Sequence, residues 1–145
     1  MLVEKKKLFH FIILLIVAFI IYYPILNNQL LDFWDDQWVV MNFYTSAGVS
    51  WQNLWTILTT YYHGQYAPFN EYLYLFLHEA FDYNAFYFHL SSLILHIANA
   101  ILVYEVLDRL LSLSICNNEF VKRYLPFMTA FIFLSQRLML NRSPG

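Results

Sequence analysis

Leu8 to Leu26 form an apolar run of 19 residues, broken only by His10 and, near its end, by Pro24. At about 1.5 Å per residue, a helix of that length just crosses a hydrocarbon core of about 30 Å. A second run, Ala85 to Leu107, has 23 residues. Composition agrees: the chain is 60% hydrophobic, 21% aromatic and only 12% charged, where a soluble domain carries about 25% charged residues. The sequence therefore predicts an all-α integral membrane protein in contact with a lipid bilayer. A cleaved signal peptide competes for the first run, but its apolar part would be shorter and a small-residue cleavage site would follow. Instead Tyr22-Tyr23-Pro24 and Asn27-Asn28 follow, which reads as an uncleaved anchor with tyrosines at the interface.

Charge sets the expected topology. Lys5, Lys6 and Lys7 precede the first run, Arg109, Lys122 and Arg123 follow the second, and no Lys or Arg stands between Leu8 and Asp108. The positive-inside rule then places the N-terminus and residues 108–123 in the cytoplasm and residues 27–84 outside, across a plasma (inner) or endoplasmic reticulum membrane. A third apolar run begins at Tyr124 and stops after about a dozen residues at Gln136-Arg137, too short to cross. One architecture follows: a single polytopic unit with spans 8–26 and 85–107 and an incomplete span from 124. Several function classes fall away. Cys116 stands alone, so there is no disulfide framework or cysteine metal pattern. Isolated Gly48, Gly64 and Gly145 form no phosphate cradle. No basic patch supports nucleic-acid binding.

Residues 27–84 carry six acids: Asp32, Asp35, Asp36, Glu71, Glu79 and Asp82. Ser50 is placed to cap a helix with Trp51, Leu54, Trp55 and Leu58 on one face. Tyr61 to Ala67, containing Gly64, reads as a turn. Pro68 suits the start of a helix with Phe69, Leu73, Phe76, Leu77 and Ala80 on one side. Glu71, His78 and Glu79 make that helix too polar to span. Both helices are expected flat at the membrane surface, or packed onto the bundle as ordinary amphipathic helices.

Asp32, Asp35 and Asp36 crowd five positions alongside Trp34 and Trp38. With no fixed cation nearby, such carboxylates meet a metal, a proton, or a cationic or hydroxyl-bearing substrate. On residue types alone, a solvated loop with an N-capping Asp stands ahead of that. In the second span His89, Ser92, His96 and Asn99 are spaced three, four and three apart, one narrow arc of a helix that faces the protein interior. Interhelical hydrogen bonding accounts for His96 and Asn99. His89, at the loop end, is the better functional candidate. Two other classes stay open. One is a small structural or partner-binding membrane protein. The other is a redox subunit with His89 and His96 as haem ligands, although residues seven apart lie about 10 Å apart along a helix and a partner helix would be needed.

The order of these features resembles the start of the C-type membrane glycosyltransferases, closest to the protein O-mannosyltransferase-like group with its tetratricopeptide-repeat mannosyltransferases. Phe33-Trp34-Asp35-Asp36, with Asn42 downstream, is similar to the acidic pair of that group's first external loop. Tyr66-Ala67-Pro68 is similar to its Tyr-Arg-Pro motif with the Arg missing. Phe88-His89-Leu90 through His96, Ala98, Asn99 and Ala100 is similar to the entry of its second helix. The resemblance implies transfer of a sugar from a polyprenyl-phosphate donor to an acceptor on the outer face. It implies Asp35 as the base and Asp36 orienting it or joining a divalent metal site. Trp34, Trp38 and Tyr66 would suit sugar stacking, with anchoring at the interface the alternative for any one of them; Trp34, Tyr66 and His89 are the residues expected to contact substrate. It reverses the order of readings for the aspartates. It also implies that the remaining helices of a longer protein complete the site, and that this stretch alone is inactive. Finally, reading one base earlier from Arg137 onward admits codons for a segment resembling the family's Ile-Asn-Val-Glu-Ser-Val-Ala-Trp, so residues from about 136 to 145 are expected to be out of frame.

Overall fold

The computed structural model describes the backbone of residues 2–30, 35–114 and 118–140, and the side chains of these except 2–5, 35, 37 and 137–140. Most of the described residues are helical, with no strand among them. Helix α1 is Leu2–Tyr22, continued by a 3-10 turn at Tyr23–Asn27; α2 is Asp35–Val39, α3 Phe43–Ala47, α4 Trp51–Thr59, α5 Pro68–Phe81, α6 Ala85–Leu113 and α7 Glu119–Leu140.

Two helical stretches among the described residues, Lys6–Asn27 and Ala85–Leu113, are long and apolar enough to cross a membrane, with mean hydropathies of 2.5 and 1.7. Their large apolar side chains are mostly unburied. Ile12, Ile16, Phe19 and Ile20 on α1 and Ile94 and Leu102 on α6 all lie exposed. Contiguous exposed apolar surface of this kind marks a lipid- or protein-facing surface.

The chain forms two compact units, one of residues 1–25 with 91–145 and one of residues 26–90. In the first, α1 packs against α7. Ala18, Ala100 and Ala130, one from each long helix, are almost completely buried. Small residues at such places let backbones approach closely. The Tyr22 hydroxyl donates to the Leu134 carbonyl at 2.9 Å. His96 Nε2 lies 3.3 Å from the same carbonyl, with its ring on Phe133 at 5.1 Å. His96 is thus engaged between helices, as the polar stripe suggested. At the other end Lys7 Nζ meets Glu105 at 2.8 Å and Asp108 at 3.2 Å.

The third helix departs from expectation. It begins at Glu119, well before Tyr124, and runs past Gln136-Arg137. The reason is local: Asn118 Oδ1 accepts from the backbone N–H groups of Phe120 at 3.0 Å and Val121 at 3.2 Å. Such a cap satisfies N–H groups that a helix start leaves open. Likewise α6 continues to Leu113, beyond Leu107. Residues 108–113 and 119–123 of the polar connection expected over 108–123 are therefore helical. At 22 residues α7 is about 33 Å long. Glu119, Lys122 and Arg123 still occupy its first turns, and its apolar stretch is the one that starts at Tyr124.

The second unit holds α2 to α5 and the start of α6. Tyr44, Ile57 and Leu75 form its core, with Leu54, Tyr62 and Tyr72 packed around them. Asn53 ties α4 to α3 by donating to the carbonyls of Tyr44 at 2.8 Å and Gly48 at 2.7 Å. The Tyr72 hydroxyl ties α5 to α4 through the Leu54 carbonyl at 2.7 Å. Both short helices begin where expected, at Ser50 and Pro68. The apolar faces read from the sequence are largely open, although Leu54 packs against the core. Trp51 and Phe69 are 80% and 88% exposed, Trp55, Leu58 and Phe76 are exposed too, and the inward positions are Asn53, Ile57 and Leu75. The core draws on the Tyr72 hydroxyl and the Asn53 amide, which reach neighbouring carbonyls, and most of the large rings stay outside.

Candidate functional site

In the second unit the chain reverses within two residues at His63-Gly64. Tyr62 N–H donates to the Gln65 carbonyl at 3.0 Å, and Gln65 N–H donates back at 2.9 Å. His63 and Gly64 both have positive φ, +47° and +77°, as the two central residues of a type I′ turn require. A non-glycine residue in that region is uncommon and often marks a functional place. The turn sets the His63 ring 4.5 Å from Trp38, edge to face, and 4.3 Å from Tyr62. Three residues after Gln65 the chain enters α5 at Pro68, which brings Asn70 and Glu71 into the first turn.

These elements surround a cleft of about 370 Å³, lined among others by Trp38, Tyr62, His63, Gln65, Asn70 and Glu71. The carboxylate is positioned by Asn42. Asn42 is the N-cap of α3: its Oδ1 accepts from Tyr44 N–H and Thr45 N–H, while the Thr45 hydroxyl accepts from Asn42 N–H, a complete capping box. Its Nδ2 donates to the Val39 carbonyl at 3.2 Å and to Glu71 Oε2 at 2.7 Å. Buried and fully bonded, the amide cannot swing away. Burial pushes the Glu71 carboxyl above its usual range, and the Asn42 hydrogen bond opposes part of that rise. One turn on, Tyr74 is also held above its usual range, first by burial and then by the negative charges of Asp36 and Glu71, with a hydrogen bond from Asn70 working against it. Two carboxylates therefore act on one phenol.

The residues singled out from sequence fall in different places. Trp34 and the Asp35 side chain lie outside the described residues, as does Asp32. Asp35 opens the backbone of α2. Asp36 is half-buried, and its carbonyl accepts from Val40 and Met41 N–H, both at 2.9 Å. Tyr66 is exposed and donates to the Leu58 carbonyl at 2.8 Å, fastening the turn to α4. His89 Nε2 lies 3.2 Å from the Asn28 carbonyl. Neither Tyr66 nor His89 lines the cleft. No three His, Cys, Asp or Glu side chains among the described residues converge as metal ligands would.

Sequence reasoning missed Glu71 and His63. Glu71 counted only as one acid among six, and His63 as part of a turn. The available signal was the His-Gly pair, a turn dipeptide with a ring where Asn or Asp is usual. No protein-family model, curated protein or solved structure matches the chain.

Proposed function

We propose that this chain is the N-terminal part of a membrane sugar transferase that moves a sugar from a polyprenyl-phosphate donor to a hydroxyl-bearing acceptor outside the cytoplasm. The observation that carries this reading is the second unit itself. It has no Lys or Arg, it holds a cleft where a carboxylate and aromatic rings meet, and it is joined in sequence to two helices apolar enough to cross a membrane.

A hydroxyl is a poor nucleophile until a positioned base takes its proton as the new bond forms. On this reading Asp35 is that base. The acceptor oxygen attacks the sugar's anomeric carbon, the bond from that carbon to the phosphate oxygen breaks, the polyprenyl phosphate departs as an anion, and the proton passes to Asp35. Asp36, one position along, orients Asp35 or joins a divalent cation. The departing phosphate calls for a cation that this unit lacks, and Ala67 stands where the resemblance would place an Arg. Further helices of a longer protein are the source of that cation.

The test is transfer of radiolabelled mannose from a polyprenyl-phosphate donor by a complete protein carrying this N-terminus, in proteoliposomes. Asp35→Asn abolishes transfer while the circular dichroism stays native. Unaltered turnover removes Asp35 from the mechanism, and a more damaging Asp36→Asn reverses the two roles. A second reading, a partner-binding membrane protein without catalysis, is favoured by the outward rings of Trp51 and Phe69. It predicts no transfer from any donor.

A further inference from the structure

We infer that the cleft of the second unit is a carbohydrate-binding subsite, in which a pyranose ring lies along Trp38 and gives hydroxyl hydrogens to Glu71, with Asn42 as the positioning residue. The sugar class rests on the transferase reading above. The subsite itself rests on four observations.

The first is size: about 370 Å³ lies within the span of small-molecule pockets, about 300–1,000 Å³. The second is the lining. Trp38 is 49% exposed although its edge-to-face contact with His63 holds it, so part of the indole is presented to whatever enters. Around it stand neutral hydrogen-bonding groups, Gln65 and Asn70. An apolar platform beside polar groups complements a pyranose, which has C–H faces and hydroxyl edges.

The third is Glu71. Half-burying a carboxylate with no fixed cation is costly, and here one amide at 2.7 Å is its only hydrogen-bond donor among the described residues. The acceptor capacity left over suits hydroxyl hydrogens. Because Asn42 is locked by the α3 cap, the carboxylate is pre-organised, which lowers the cost of binding.

The fourth observation narrows the ligand. With no Lys or Arg in residues 26–90, an anion finds no fixed partner. The amides of Gln65 and Asn70 in the lining both donate and accept, which matches the hydroxyls of a neutral polyol better than a quaternary ammonium, a cation with no hydrogen to donate.

The test uses the full chain in lipid nanodiscs, with methyl α-D-mannopyranoside as probe and tetramethylammonium as comparator, read by saturation-transfer NMR. The glycoside's ring hydrogens receive saturation from the native chain. Glu71→Gln weakens binding about tenfold, the scale of one hydrogen bond to a charged group, and Trp38→Ala, which removes the stacking platform, weakens it as well. Trp55→Ala, away from the cleft, binds like the native chain. Circular dichroism checks each variant, and should Trp38→Ala unfold, the isosteric Glu71→Gln decides. Transfer to tetramethylammonium but not to the glycoside overturns the inference, as does native-like glycoside binding by Glu71→Gln. Binding needs no catalysis, so the two readings fail separately. Glycoside binding by this chain, with no mannose transfer by the complete protein that carries it, sinks the transferase and keeps the subsite. Transfer without glycoside binding does the reverse.

Discussion

Asn42 and Glu71 stand 29 positions apart and are joined by a hydrogen bond of 2.7 Å. The same amide starts α3 and holds the cleft carboxylate, so helix capping and site geometry share one side chain. Replacing it separates the two. Asn42→Ala removes both functions and lowers the stability of the folded chain by about 2 kcal/mol, half from the cap and half from the stranded carboxylate. Asn42→Ser keeps an N-cap acceptor but has no Nδ2, so it costs less. Thermal unfolding of the purified chain in detergent ranks the three. Equal losses for Ala and Ser would mean that the cap contributes nothing.

Glu71 gives a pH dependence whose sign is fixed. Its folded-state carboxyl is raised above the ordinary 4.5. Between 4.5 and the raised value the folded chain binds the extra proton, so stability falls as pH rises through that window. Glu71→Gln removes this contribution: its melting temperature gains on the native chain as pH rises from about 4.5 toward neutrality. Asn42→Ser, which deletes the bond that lowers the Glu71 value, extends the native slope to higher pH. Parallel curves for native and Glu71→Gln would contradict the placement of the carboxylate.

Topology is open to direct measurement. With Cys116→Ser as background, a cysteine at the exposed Ser46 reacts with an impermeant thiol reagent in intact cells, and one at the exposed Asn118 reacts only after lysis. Labelling of position 118 alone in intact cells would invert the orientation inferred from the lysines.

The outward rings of α4 have a lipid partner on the same reading. Trp51 and Trp55 are exposed, and tryptophan favours the membrane–water interface. In brominated-lipid nanodiscs, native tryptophan fluorescence is quenched, and the Trp51→Phe, Trp55→Phe double variant loses much of that quenching. Its unfolding free energy stays within about 0.5 kcal/mol per site, as for other surface changes. Undiminished quenching would show that α4 meets something other than lipid.

What could be read in the sequence followed local rules. Ser50 and Pro68 mark helix starts because capping and the proline ring act within one turn, and both helices begin there. The two long apolar helices needed only length and composition. Asn118 was passed over because the charges around it looked like a connection, yet one side-chain oxygen was enough to start α7 early. The orientation of α4 and α5 was not readable. Periodicity groups Trp51, Leu54, Trp55 and Leu58 on one side, yet of these Leu54 packs inward and the other three stay exposed, because the buried side of α4 is set by Ile57 in the core and by Asn53 finding the Tyr44 and Gly48 carbonyls. Nothing local links Asn42 to Glu71 either. The aspartates most prominent in sequence, Asp32 and Asp35, have side chains outside the described residues, whereas Glu71, one acid among six, lines the cleft.

The positive φ of His63 has a consequence for anyone who varies this chain. Gly, Asn, Asp and His enter that backbone region more readily than other residues, and of these only His brings an aromatic ring. Position 63 thus carries two demands that no common replacement meets together. Asn keeps the loop and deletes the ring; Phe keeps a ring and strains the loop. Comparing the two separates shape from chemistry at one position, and a library screened for function at residue 63 should return histidine nearly alone if both matter.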